Sequence, residues 1–289
     1  MTSRTRLPRS ASSTTALLTT ALRGAPVLAA LALVAALAGC APAADAPSAA
    51  ASSEASSTPG REAQHVEGAV TVFAAASLTG TFTELAKQFE QANPDATVTL
   101  NFGGSSALAE QINQGAPADV FAAASPATMT TVVDAGGVAG EPTVFASNTL
   151  EIAVPPGNPG GITGIADFGD EAKTIALCAP EVPCGAAAAT VFEKAGITAA
   201  PDTLEQDVKA ALTKVQLGEV DAAMVYRTDV LAAGDGVEGI EFAEAADAVN
   251  DYPIAVLSAA PNPTGAQAFV DFVLSEGAGV LAAAGFDAG

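Results

Sequence analysis

The chain has 289 residues, with 32 Asp and Glu against 11 Lys and Arg and a formal net charge of −21 at pH 7. A chain this acidic lacks the basic face that nucleic-acid phosphates require, and its length allows two modest domains. Its one histidine, His65, and three cysteines, Cys40, Cys178 and Cys184, leave little material for His-based catalysis or a zinc site.

Arg4, Arg6, Arg9 and Arg23 make a basic start, followed from Ala25 to Ala38 by a run of mostly Ala, Leu and Val. That run falls short of the roughly 20 residues needed to cross a bilayer and fits the apolar core of a secretory signal. Its end, Leu37-Ala38-Gly39-Cys40, resembles a bacterial lipobox. The resemblance implies a signal peptide over 1–39, cleavage before Cys40 and a lipid on Cys40. An ordinary signal peptide cut nearby, or an uncleaved anchor, is the alternative. Residues 40–67 are dominated by Ala, Ser and Pro; they bury too little apolar surface to fold and read as a disordered tether. The folded body is then 68–289, large enough for a real core. Four of the 11 Lys and Arg and none of the acids precede Cys40, so the mature chain carries about −25. Such a field repels anions, although salt screens it within about 8–10 Å. An anion site here must work through short-range donors.

Along the body, strand-like and helix-like segments alternate. Val70–Ala75 reads as a strand. Residues 78–93 place Phe82, Leu85 and Phe89 at helical spacing and stop at Asn93-Pro94. Strands follow at Ala96–Phe102 and 118–125, with helices at 105–115 and 126–135. Leu150–Val154 and Thr174–Cys178 read as strands, 184–195 and 205–217 as helices, 220–226 and Tyr252–Ser258 as strands, and 262–275 and 276–284 as two closing helices. This alternation predicts an α/β fold with a mostly parallel sheet covered on both faces. Ligands of such sheets sit beyond the carboxyl ends of the strands. That draws attention to Ser77, Ser105, Ser106, Ser125, the Cys184 turn and Tyr226. Each has a plain reading too. Ser77 at a strand-to-helix junction is a candidate N-cap as well as a candidate anion seat. Ser125 before Pro126 reads as a cap only. Tyr226 can be a core aromatic, Tyr252 reads as one, and Arg227 reads as a solvated surface residue.

Three stretches line up: Val-Phe-Ala-Ala-Ala-Ser-Leu around Ser77, the Gly-Gly-Ser-Ser turn leading on to Gly-Ala-Pro-Ala-Asp (103–119), and Ala-Ala-Met-Val-Tyr ending at Tyr226. Together with Asp-Tyr-Pro-Ile-Ala-Val (251–256) and the terminal Ala-Ala-Ala-Gly-Phe, they resemble the molybdate-binding proteins of bacterial ABC transporters, ModA-type substrate-binding lipoproteins. The resemblance runs over essentially all of 68–289. It implies a two-lobe, periplasmic binding protein type II-like fold with a ligand cleft between the lobes. Lobe one would be 68–147 plus 252–289 and lobe two 148–251, with hinges near Ser147–Glu151 and Asn250–Pro253. It implies an oxyanion held by the hydroxyls of Ser77 and Ser105, the backbone N–H groups at Cys184 and Val208, and the hydroxyl of Tyr226. No direct bond to the metal atom is involved. At Cys184 the family commonly has alanine, a change that leaves a backbone donor in place.

The chemistry agrees. Molybdate and tungstate are tetrahedral dianions without a proton at neutral pH, so a site made only of donors suits them. Hydrogen phosphate carries a proton and needs an acceptor. Sulfate, also proton-free, is the alternative ligand. Neutral donors at helix N-termini hold charge through aligned dipoles. Cys178 and Cys184 enclose five residues in a secreted context, where a disulfide is the default. The expected role is a solute-binding protein and not an enzyme, since no histidine base lies within the body. The expected ligand is molybdate or tungstate, with no cofactor. The expected partner is a membrane ABC permease, and the protein is a monomer held outside the cytoplasm by its lipid.

Overall fold

The computed structural model describes residues 65–289; the signal peptide, Cys40 and the tether up to residue 64 lie outside them. In chain order the elements are β1 (Gly68–Ala75), α1 (Thr79–Ala92), β2 (Ala96–Gly103), α2 (Ser105–Asn113), β3 (Val120–Ala122), α3 (Pro126–Asp134), β4 (Thr143–Asn148), β5 (Leu150–Val154), β6 (Ile175–Cys178), α4 (Pro183–Ala195), β7 (Thr203–Glu205), α5 (Val208–Gln216), β8 (Ala222–Tyr226), α6 (Arg227–Ala233), β9 (Glu238–Ile240), β10 (Asn250–Val256), α7 (Pro263–Ala283) and β11 (Asp287–Ala288).

The strands form two sheets. One has the order β11-β4-β10-β3-β1-β2 and the other β7-β6-β8-β5-β9. Both are mixed, which corrects the mostly parallel expectation. β1 runs parallel to β2 and β3, and β6 parallel to β7 and β8. β10 runs antiparallel to β3 and β4, and β5 antiparallel to β8 and β9. The reversed strands are those next to the crossovers. β4 leaves the first sheet and β5 enters the second with only Thr149 between them, and β10 brings the chain back. Asn148 and Asn250 are register partners where the two crossing strands lie side by side.

Each sheet has its own core. In the first, Phe82 and Phe89 of α1 meet Phe269 of α7 edge to face, at 6.1 and 5.3 Å between centroids. α7 is one continuous helix where two were expected. Ala266, Phe269, Val270, Val273 and Leu281 are buried along one side of it, and Gly277 within it leaves the helix unbroken because a helical glycine costs only about 1 kcal/mol. The second core gathers Ile152, Phe168, Val191, Phe192, Leu212 and Met224. The helix expected at 205–217 begins at Val208, with β7 before it, because Asp207 takes the Ala210 N–H at 3.0 Å and so sets its start. The strand expected over 118–125 shortens to β3. Its flanks do other work: Asp119 is 1% exposed and accepts from the N–H of Thr71 at 2.7 Å and of Asn262 at 2.6 Å. It ties β1 and the entry to α7 to the sheet. Val66, ahead of β1, packs into the first core.

Asp119→Ala strands two backbone donors at once. Each unmet donor costs about 1–3 kcal/mol, so chemical unfolding should show a loss of about 2 kcal/mol or more.

Candidate functional site

Six chain segments meet at one small cavity, Ala124 after β3 among them. The turn after β1 brings Ala75 to Ser77; α2 begins there with Gly104 and Ser105, α4 with Pro183 and Cys184, and α5 with Asp207 and Val208; β8 ends there at Tyr226. The five residues that the family resemblance implies, Ser77, Ser105, Cys184, Val208 and Tyr226, therefore line the same space, and Ser106 and Ser125 do not. Three of the segments are helix starts, whose first-turn N–H groups have no carbonyl earlier in their own helix to bond. α2 and α4 have no capping side chain. Asp207 at the start of α5 accepts Ala210 N–H at 3.0 Å, and it lines the cavity beside Val208, the first residue of that helix. Aligned dipoles give these ends partial positive charge without a cationic side chain.

The hydroxyls are arranged with equal economy. Ser105 is 1% exposed, and its Oγ accepts from Ala124 N–H at 3.0 Å. An amide can only donate, so the Ser105 proton is left for the cavity. Ser77 caps no helix. It sits inside a 3-10 turn, Ala76–Leu78, ahead of α1, whose N-cap is Leu78. Its Oγ instead lies 3.0 Å from Tyr252 Oη, so Tyr252 is more than the plain core aromatic expected. Tyr226 is 1% exposed, and its Oη has no hydrogen-bond partner among the described residues. Burial, then the neighbouring Tyr252 and Asp229, hold its pKa well above the ordinary tyrosine value. It remains a donor at any physiological pH. A buried donor with no acceptor costs about 1–3 kcal/mol, a penalty that an anion in the cavity would remove.

Two features of the surroundings escaped the sequence reading. Asp229 in α6 is fully buried; it accepts from Tyr226 N–H at 3.2 Å and lies 2.8 Å from Lys209 Nζ. Burial pushes its carboxyl pKa up and the Lys209 ammonium draws it back. The pair fastens the first turn of α5 to the end of β8, fixing Val208 relative to Tyr226. The three-residue step from Tyr226 to Asp229 was the available signal, being the spacing of a capping box. The second is Gly104. A β-carbon there would overlap the Gln206 carbonyl, so the Gly-Gly-Ser-Ser turn meets the strand-to-helix turn of the other sheet in direct contact.

Cys178 and Cys184 form a disulfide from the end of β6 to the first turn of α4. Gly185 next to it also lacks room for a side chain, because the Ala179 and Cys178 carbonyls lie against it. Ser125 is the N-cap of α3, accepting from Thr128 N–H at 3.2 Å. Arg227 lies outside the cavity, exposed, and donates to the Gly285 carbonyl at 3.1 Å. Among the described residues no group of His, Cys, Asp and Glu is placed to hold a metal ion.

Residues 70–287 match the profile of a family described as bacterial extracellular solute-binding protein. The molybdate-binding protein ModA of Mycobacterium tuberculosis is 42% identical over 219 residues, covering 75% of this chain and 84% of that one. The periplasmic molybdate-binding protein of Azotobacter vinelandii superposes with a TM-score of 0.62 at 21% identity, over 75% of this chain and 98% of that one. The sulfate-binding protein SubI of Mycobacterium tuberculosis gives 0.66 at 17%, over 76% and 86%. The two superpositions establish the shared α/β fold.

Gly104→Ala should keep the two turns apart. Titration calorimetry with a tetrahedral oxyanion should show affinity falling by about tenfold or more, which is roughly 1.4 kcal/mol.

Proposed function

This chain belongs to the bacterial extracellular solute-binding proteins, and on that premise we propose that it captures molybdate, and tungstate with it, for an ABC importer. The observation that carries the proposal is the composition of the cavity. Two serine hydroxyls, an unpartnered tyrosine hydroxyl and the N–H groups of three helix starts converge there, all of them neutral donors. A proton-free tetrahedral dianion supplies acceptors on every side and nothing else, so it matches this set. The relative from Mycobacterium tuberculosis, a molybdate-binding protein at 42% identity, supports the same ligand.

Ser77 and Ser105 meet the anion from lobe one, 68–147 plus 252–289. Cys184 N–H, Val208 N–H and Tyr226 Oη meet it from lobe two, 148–251. The lobes rotate about Ser147–Glu151 and Asn250–Pro253, closing Gly104 onto Gln206. The closed protein docks on a membrane permease and releases the anion there. It works outside the cytoplasm as a monomer, anchored by a lipid on Cys40 after removal of 1–39. It carries no cofactor and performs no chemistry on its ligand. Its one histidine, His65, lies beside Glu67 and Asp95, away from the cavity residues.

Thermal melts of the purified protein with molybdate, tungstate, sulfate and phosphate in turn test this. A ligand at about 1,000 times its dissociation constant adds roughly 4 kcal/mol, or about 8–16 °C for a chain of this size. Molybdate and tungstate should give that shift, and sulfate and phosphate little. A large shift with sulfate alone would move the assignment to sulfate. Tyr226→Phe should cut the molybdate shift by about 1.5–3 kcal/mol, the worth of a hydrogen bond to a charged group.

A further inference from the structure

We propose that Lys209 governs the affinity of the cavity for its anion without touching that anion, by cancelling the negative charge of the buried Asp229. The inference rests on reading the cavity as an oxyanion site. It starts from a carboxylate in an awkward place. Asp229 is 0% exposed and accepts from the N–H of Tyr226 at 3.2 Å, a residue that lines the cavity. The chain carries many other acids, but charges at the surface are screened by salt within about 8–10 Å. A buried charge is screened far less and acts through a lower dielectric. Its reach shows in two tyrosines. Burial does most to raise the pKa of the Tyr226 and Tyr252 hydroxyls, and the Asp229 charge pushes both the same way. A field that opposes a phenolate at Tyr226 Oη opposes an oxyanion beside it for the same reason.

Lys209 answers that charge. Its Nζ lies 2.8 Å from Asp229 Oδ1, with the lysine side chain 33% exposed and the carboxylate fully buried. Asp229 also stands in the first turn of α6, but a helix N-terminus supplies only about half a charge, whereas an ammonium supplies a whole one. The nearby acid works against it. Burial and, after it, Asp207 push the Asp229 pKa up, while Lys209 draws it down. Asp207 caps α5 at Ala210 N–H and offers Asp229 no relief. Arg227 is engaged at the Gly285 carbonyl. Lys209 is not part of the cavity wall, so it gives the anion no hydrogen bond. It follows Val208 directly in the chain. The first turn of α5 therefore brings a donor to the cavity and the counter-charge to Asp229 together. With the pair formed, the dianion meets the donors without the opposing field of a buried carboxylate.

Removing the two charges separately and together tests the idea. Wild type, Asp229→Asn, Lys209→Met and the double variant, each as the full chain, are titrated with molybdate by calorimetry at mildly alkaline pH. Asparagine keeps an oxygen for Tyr226 N–H while the negative charge is gone and Lys209 is left uncompensated. Asp229→Asn should bind molybdate about tenfold or more tightly than wild type, and adding Lys209→Met should remove that gain. Lys209→Met alone should bind about tenfold or more weakly, and adding Asp229→Asn should recover affinity. A pair that only braces α5 against β8 gives the opposite signs, because breaking it from either side weakens binding and a second substitution recovers nothing. If Asp229→Asn binds no more tightly than wild type, or the double variant binds no more tightly than Lys209→Met, the inference is wrong. Should Asp229→Asn fail to fold, the comparison of Lys209→Met with the double variant decides alone. If wild type binds neither molybdate nor sulfate, the oxyanion reading itself fails, and the inference falls with it before any variant is compared.

Discussion

Three helices begin at one cavity, and each arrives with N–H groups that its own hydrogen-bond ladder cannot satisfy. The rest of the structure is organised around that surplus of donors. α2 starts where β2 ends, α4 starts five residues after the last residue of β6, and α5 starts three residues after the last residue of β7. The parallel pairings within each sheet point these strand ends the same way. The mixed topology completes the arrangement, because the reversed strands β5 and β10 carry the chain between the sheets. The protein as a whole is strongly acidic, so the cavity gains nothing from long-range attraction. Its affinity for an anion has to come from dipoles and hydroxyls within contact distance.

The supporting residues are tied to β10 on one side and to α6 on the other. Asn250 donates to the Ala124 carbonyl at 2.7 Å, and the same residue's N–H holds Ser105. Two residues further on, Tyr252 holds Ser77. Both serines are thereby referenced to one short stretch of a crossing strand. In α6, Asp229 gathers Tyr226 and Lys209, and Thr228 takes Asn148. The crossing strands do more than connect the sheets, since each carries side chains that set the donors of the cavity.

Much of this could be read in the sequence. Alternating strand and helix patterns gave the α/β class and, in the first sheet, β1, β2, β3 and β10, while β4 went unnoticed. Gly-Gly-Ser-Ser and Val-Pro-Cys-Gly marked helix starts because small residues and proline suit those positions. What escaped has physical reasons. Strand direction is not encoded in hydrophobic periodicity, so the antiparallel pairings of β5 and β10 were invisible. β9 and β11, at three and two residues, are too short for a period. The two closing helices expected at 262–275 and 276–284 are one, because packing against α1 and the sheet keeps α7 continuous. Tyr252 read as core because its burial is legible and its hydroxyl's partner, 175 residues away in sequence, is not.

The division of donors between the two sheets also governs time. An anion bound by Ser77 and Ser105 alone would escape as fast as those two contacts break. Once Gly104 meets Gln206 and the cavity closes, escape requires the two sheets to part, and the Arg227–Gly285 hydrogen bond, joining α6 to the turn after α7, has to break or stretch with them. On the proposed hinges near Ser147–Glu151 and Asn250–Pro253, residence time would then be a property of the crossovers more than of the anion. Ligands that differ in affinity would leave at a common, hinge-limited rate, and whatever pulls the sheets apart controls delivery.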